Sequence, residues 1–177
     1  LVVEKIVGAA AEQGMTLPTL KTLGDRVNRA TRSMGVALTS CTVPAAGKPT
    51  FDIGPDEMEM GVGIHGEPGR RRVALRSANE IAEEMVSAIS ADLGTGGDAL
   101  LFINGFGGTP LMELYLMYNA AATQLAKHGI RPVRSLVGSY VTSLDMAGCS
   151  ITVTMLNEET AKYWDAPVHT PALRWGL

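Results

Sequence analysis

Apolar residues recur along this chain at helical spacing in some stretches and as short unbroken runs in others, and the two regimes alternate to the end. Val2 to Gln13 reads as a short apolar helix stopped by Gly14. A second helix is expected from about Pro18 to Arg32, with Pro18 in its first turn and Leu20, Leu23, Val27, Ala30 and Met34 at helical intervals. Gly35 is expected to stop it, and Val36 to Val43 then reads as a buried strand closed by Pro44. Ala45 to Pro55 carries two glycines and two prolines and reads as loop. Met58 to Ile64 is the next expected strand and feeds a glycine-rich turn. Ser77 followed three residues on by Glu80 spells a capping box, opening a helix through Ile81, Met85 and Ile89. Ala99 to Ile103 is fully apolar and strand-length, the signature of a strand covered on both faces.

Thr109 and Pro110 suit the cap and first position of a helix lined by Leu111, Leu114, Tyr115, Tyr118, Ala121, Ala122 and Leu125, and Gly129 ends it. Val133 to Val141 and Ser150 to Leu156 read as two further strands, and the short Asp145–Gly148 segment between them suggests an antiparallel hairpin. Glu158 to Trp164 supplies a last helical turn or two, and Asp165 to Leu177 is expected to lie extended over the body. The sum is about five strands and five helices in mixed order, with neither internal repeat nor low-complexity segment. That order favours an α+β fold: a mixed β-sheet with helices packed on it as a two-layer α/β arrangement, over an all-parallel doubly wound sheet.

Composition narrows the classes. The 177 residues are 46% hydrophobic and 19% charged, enough for one domain with a real core. A net charge of −3 offers no basic field for nucleic acid, and no apolar run approaches the roughly 18 residues of a membrane span. Arg70, Arg71 and Arg72 form the one tight basic cluster and read as a solvated loop. Cys41 and Cys149 sit in apolar segments and are expected as buried free thiols, which suits a reducing cytoplasmic setting. Leu1 to Met15 shows no basic leader or cleavage site, and a start at Leu rather than Met reads as a piece of something longer.

Four groups of residues could carry chemistry. Gly61-x-Gly63-x-x-Gly66 matches a dinucleotide fingerprint by letters, but Glu67-Pro68-Gly69 and three arginines follow where a helix should open, so a tight glycine turn is the better reading. Gly47-Lys48-Pro49-Thr50 fails as a phosphate loop: Thr42 stands where the first glycine belongs, and Pro49 has no N–H to donate. Gly105-Phe106-Gly107-Gly108-Thr109-Pro110 lies between a strand and a helix start, where it could equally hold a ligand or allow close packing. The histidines are His65, His128 and His169. His128 reads as a residue complementing a helix C-terminus, and His169 as a packing or exposed residue between prolines. His65 stands at a strand end, with Gly63 and Gly66 leaving its ring accessible. No second His or Cys lies at ligand spacing from it, which argues against metal. On residue pattern alone a lone histidine is more often structural than catalytic.

Six segments together resemble one family. They are Asn28 to Gly35, Cys41 to Phe51, Glu57 to Gly69 with its Gly-Ile-His-Gly-Glu-Pro-Gly core, Gly107 to Tyr115, Thr142 to Gly148, and Trp164 to Gly176. In this order they resemble dihydroxyacetone kinase, the K-type substrate-binding subunit, from about residue 16 to the end. The resemblance implies that residues 1–177 form the C-terminal domain of that subunit, with its N-terminal α/β domain absent from this chain. It implies that His65 is the catalytic and substrate-binding residue, attacking the ketone carbonyl of dihydroxyacetone to form a covalent hemiaminal. It implies no cofactor or metal on this chain, with ADP or ATP and Mg held by a nucleotide-holding L-type subunit or domain. The ending at Trp175-Gly176-Leu177 suits the phosphoenolpyruvate-dependent form, whose phosphocarrier M-type subunit acts indirectly, and a homodimer is expected. Two alternatives stay within the resemblance: a non-catalytic paralogue that binds dihydroxyacetone as a transcriptional co-activator, and a kinase for a related ketose such as erythrulose. A purely structural or interaction domain is the alternative of another class. The family's acid–base Asp and His lie in the absent domain, so the isolated 177-residue piece is expected to be inactive as a kinase.

Overall fold

A computed structural model describes residues 1–45, 47–64 and 69–176. Among these, the elements run α1 (Val2–Glu12), α2 (Leu17–Arg29), β1 (Thr31–Ala37), β2 (Glu57–Met60), β3 (Arg71–Ala74), α3 (Ala78–Leu93), β4 (Gly97–Gly105), α4 (Leu111–Lys127), β5 (Ile130–Gly138), β6 (Gly148–Met155), α5 (Glu158–Asp165), β7 (Val168–His169) and β8 (Arg174–Trp175). Six strands form one mixed sheet in the order β3-β2-β1-β6-β4-β5, and β7 pairs with β8 separately. Within the large sheet only β4 and β5 are parallel; they are joined through α4, and every other neighbouring pair is antiparallel.

Alternation along β4 explains its unbroken apolar run. Ala99, Leu101 and Ile103 face one core with α3 and α4, built on Ile81, Met85, Ile89, Leu114, Ala121 and Leu125. Leu100 and Phe102 face the other, where α1, α2 and α5 supply Val2, Ile6, Ala10, Leu23, Val27, Tyr163 and Trp164. The expected α+β mixed sheet with packed helices is what forms. One helix layer is the α3–α4 pair, and the α1–α2–α5 group covers part of the opposite face.

Local signals read from the sequence held where a specific interaction enforces them. Ser77 and Glu80 make the expected reciprocal capping box at the start of α3. Gly129 follows α4 at φ +70, a conformation that favours glycine. The strands read as Val36–Val43 and Met58–Ile64 form only in part, as Thr31–Ala37 and Glu57–Met60, and four further expectations fail. The second helix ends at Arg29, not Arg32, and Gly35 lies inside a strand rather than at a helix stop. Residues 31–37 pair with residues 148–154 along their whole length, and this ladder overrides the helical spacing of Ala30 and Met34. Second, β5 and β6 do not form a hairpin, because β4 lies between them and pairs with both. The intervening residues arch over the end of β4: Tyr140 and Val141 donate backbone N–H groups to Asn104 Oδ1, and Ser143 N donates to the Phe106 carbonyl.

Third, Arg71 and Arg72 belong to edge strand β3 rather than to a solvated loop, and they pair with Glu84 and Glu59 respectively. Fourth, Thr109 does not cap α4. Its hydroxyl donates to the Gly148 carbonyl at 2.8 Å and accepts from Gly148 N at 2.7 Å, and Pro110 takes the cap position. The tail from Asp165 turns back on itself as β7 and β8, with Trp175 packed on Trp164 at 5.2 Å between ring centroids.

Candidate functional site

The site is built where β1, β6 and β4 present one face and the segment after β2 folds across it. Gly61, at φ +79, turns the chain out of β2, and its N–H donates to the Gly35 carbonyl at 2.7 Å. At the far end of the loop Arg70 N donates to the Met60 carbonyl at 2.6 Å, just before β3 begins. The loop from Gly61 to Arg70 is therefore pinned at both ends. Val62 lies directly over Gly35, and a Cβ at Gly35 would fall under 3.0 Å from the Val62 carbonyl oxygen and 3.0 Å from the Phe106 ring. Only a residue without a side chain lets the loop lie this close to the strand.

Beneath the loop is a cleft of about 380 Å³ lined by Ser33, Met34, Gly35, Gly61, Val62, Gly63, Ile64, Arg70, Phe106 and Ser150. Ser33, Ile64 and Ser150 also line a neighbouring cleft of about 260 Å³, together with Thr31, Thr152, Phe102, Asn104 and Val141. Hydroxyls dominate the strand face here. Thr31 and Thr154 share a hydrogen bond across strands at 2.9 Å, and Ser33 and Thr152 share one at 2.6 Å. The Arg70 stem passes against Gly61 and brings a cationic side chain to the cleft wall.

His65, with Gly66, Glu67 and Pro68, lies outside the described residues. The residues on either side of that stretch are described: Ile64 lines both clefts, and Gly69 packs against the Glu59 side chain. The other two histidines are elsewhere. His128 is the C-cap of α4, and its carbonyl accepts from Gly96 N at the start of β4, the opposite end of that strand from Asn104. His169 lies on β7 and lines a separate cavity of about 670 Å³ against α1.

The remaining motifs resolve structurally. The Gly61-x-Gly63 stretch joins two strands, and the next helix opens only at Ala78. In the second glycine-rich loop, a Cβ at Gly107 or Gly108 would fall under 3.0 Å from the carbonyl oxygens of Leu144 and Asp145, so these glycines serve close packing against the arch. Both cysteines are free and buried, and burial pushes the Cys149 thiol up to about 12. Sequence reading missed Ser33, Ser150 and Asn104. A signal was present: Ser150-Ile-Thr-Val-Thr and Thr31-Arg-Ser-Met alternate hydroxyls with other residues at the period of a strand.

The match with a family model spans residues 1–172, and its description is the Dak1 domain. This chain belongs to the Dak1 domain family. Among curated relatives it is 42% identical to the PEP-dependent dihydroxyacetone kinase, dihydroxyacetone-binding subunit DhaK, of Escherichia coli, over 99% of this chain and 57% of that protein. It is 40% identical to the L-erythrulose kinase of Pectobacterium atrosepticum, over 99% of this chain and 31% of that protein. Among solved structures it superposes on the dihydroxyacetone kinase operon co-activator Dha-DhaQ with a TM-score of 0.88 at 30% identity, over 94% of this chain and 52% of the other. The Dak1 chain described here thus spans about half the length, or less, of the relatives it matches. The superposition supports the mixed-sheet fold.

Proposed function

We propose that this chain is the C-terminal domain of the dihydroxyacetone-binding subunit of a dihydroxyacetone kinase, and that His65 captures the substrate ketone as a covalent hemiaminal. The observation that supports this most directly is the pinned loop. Its described residues Gly61–Ile64 and Arg70 line a cleft with Ser33 and Ser150, and His65 follows Ile64 directly in sequence.

The chemistry is addition without loss of water. A neutral imidazole nitrogen attacks the carbonyl carbon, and the π pair of the C=O bond moves to oxygen. The proton lost from the ring is balanced by one gained at that oxygen, which becomes a hydroxyl. A ketone can react in this way, whereas glycerol has no carbonyl and cannot. The captured substrate then presents a terminal hydroxyl for phosphoryl transfer, a step that depends on positioning and charge stabilisation. The phosphoryl donor belongs to a nucleotide-holding L-type subunit, with a phosphocarrier M-type subunit upstream of it in the phosphoenolpyruvate-dependent form. The working assembly is a homodimer in the cytoplasm.

The test uses the full-length protein that contains this chain, mixed with its nucleotide-holding subunit and dihydroxyacetone. Continuous density from the His65 ring to the substrate carbon in a soaked crystal, with loss of ketone binding in His65→Ala, is the expected result. A His65→Ala protein that binds ketone as tightly as wild type overturns the mechanism. Full turnover by the 177-residue piece with the nucleotide subunit would show instead that no further domain is needed. A second reading follows from the likeness to the co-activator: a ketone-binding regulator without turnover. Binding with no phosphorylated product from the complete assembly would select it. Erythrulose in place of dihydroxyacetone as the better substrate would select the tetrulose kinase suggested by the 40% identical relative.

A further inference from the structure

The hydroxyl rows on the strand face contain one member, Ser150, that makes no side-chain hydrogen bond among the described residues. On β1, β6 and β4, cross-strand partners fall into three rows: Thr31, Thr154 and Leu100; Ser33, Thr152 and Phe102; Gly35, Ser150 and Asn104. In the first two rows each hydroxyl on β6 has a hydroxyl opposite it on β1 and is hydrogen-bonded to it. The third row breaks the pattern. Opposite Ser150 on β1 is Gly35, which has no side chain. Opposite it on β4 is Asn104, whose amide oxygen accepts from Tyr140 N and Val141 N and whose amide nitrogen donates to the Val141 carbonyl. Among the described residues no hydrogen bond engages the Ser150 hydroxyl, which is half-buried and lines both clefts beside Ile64.

A hydroxyl in this position has a cost if it is buried against nothing, and a use if a ligand supplies the partner. The geometry points to Ser150 as a substrate-binding residue that hydrogen-bonds the ketose hydroxyl on the side of the carbonyl away from phosphoryl transfer. This rests on the reading of His65 as the ketone anchor. Dihydroxyacetone carries a CH₂OH group on each side of its carbonyl. One is phosphorylated, and the other must lie somewhere once the carbonyl carbon is fixed. Ser150 shares its cleft with Gly61–Ile64, the residues that lead to the anchor in sequence, and it can both donate to and accept from that second hydroxyl. A side chain at 35 would meet the Val62 carbonyl and the Phe106 ring, and so would displace the residues that share the cleft with Ser150.

The experiment is a cross between one protein hydroxyl and one substrate hydroxyl, on the full-length protein with its nucleotide-holding subunit. Ser150→Ala and Ser150→Thr are compared with wild type on dihydroxyacetone and on hydroxyacetone, which has a methyl in place of one CH₂OH. Ser150→Ala is expected to raise KM for dihydroxyacetone about 3- to 10-fold, the worth of one neutral hydrogen bond, and to leave KM for hydroxyacetone unchanged. Ser150→Thr, which keeps the hydroxyl, should recover most of the loss. An equal loss on both ketones, or no loss on either, overturns the assignment. His65→Ala run alongside separates the two ideas. If it abolishes binding while Ser150→Ala does nothing, the anchor stands and Ser150 has no role. If His65→Ala also binds normally, the site is misplaced and both fall.

Discussion

Gly35→Ala tests whether the strand positions the loop that leads to His65. A methyl on an ordinary strand glycine would stabilise, by about 0.5–1 kcal/mol, through the unfolded chain. Here the new Cβ falls under 3.0 Å from the Val62 carbonyl oxygen and 3.0 Å from the buried Phe106 ring. Neither neighbour gives way easily. Val62 is backbone, held by the Gly61 hydrogen bond to Gly35 itself, and Phe106 is 1% exposed. Overpacking of this kind costs about 1–3 kcal/mol, which outweighs the entropic gain and leaves a net loss of about 1–2 kcal/mol. For a domain of this size that lowers Tm by roughly 2–8 °C. Both tryptophans of this chain, Trp164 and Trp175, lie in the α5 and β8 region, so denaturant unfolding can be followed by their fluorescence. Ketone binding measured by calorimetry on the same protein should weaken at least tenfold, because the displaced Val62 carries Ile64 and the residues after it. A variant more stable than wild type would refute the steric argument. A destabilised variant with unchanged ketone affinity would refute the claim that Gly35 positions the loop.

Two further outcomes follow from the electrostatics. Asp165 receives two hydrogen bonds from Arg134, and these, with the charges of Arg134 and Lys5, hold its carboxyl below the ordinary 3.8 despite slight burial. A carboxyl lowered in the folded state contributes stability above its unfolded value and loses it as pH falls through its folded value. The stability difference between wild type and Asp165→Asn should therefore be a few tenths to about 1 kcal/mol at neutral pH, as expected of an exposed pair, and should close below about pH 3.8; a gap that widens in acid refutes the pairing. Cys149, buried and shifted up to about 12, should resist a thiol reagent at pH 8 until the protein is unfolded in denaturant, and rapid native-state labelling at Cys149, read by peptide mass, would contradict its burial.

The fold was legible where a local signal met no competing distant partner. The capping box at Ser77 and Glu80 and the glycine after α4 depend on residues within a few positions of each other, and both formed as read. What failed depends on partners distant in sequence. Nothing in Thr31-Arg-Ser-Met-Gly indicates that a strand more than a hundred residues away will pair with it, so Ala30 and Met34 looked helical. The short Asp145–Gly148 segment looked like a hairpin turn because the sequence does not show β4 inserted between its flanking strands. The whole link, residues 139–147, is long enough to cross the width of one strand, about 10 Å from β5 to β6, and that length was the available clue.

The site divides along the same line. His65 stands out through the motif around it, because a loop motif is contiguous and can be read whole. The floor beneath Gly61–Ile64 is assembled from β1, β6 and β4, and no contiguous stretch contains it. Ser150 looks like any strand serine until the register is known. Only then does it become clear that Gly35 and Asn104 flank it, one with no side chain and the other bonded through its amide to Tyr140 and Val141. Glycine at 35 allows Val62 to approach the strand next to Ser150. One small residue thus links the contiguous part of the site to the assembled part. Gly35→Ala and Ser150→Ala should therefore not be additive in ketone affinity, because the first already spoils the geometry that the second depends on.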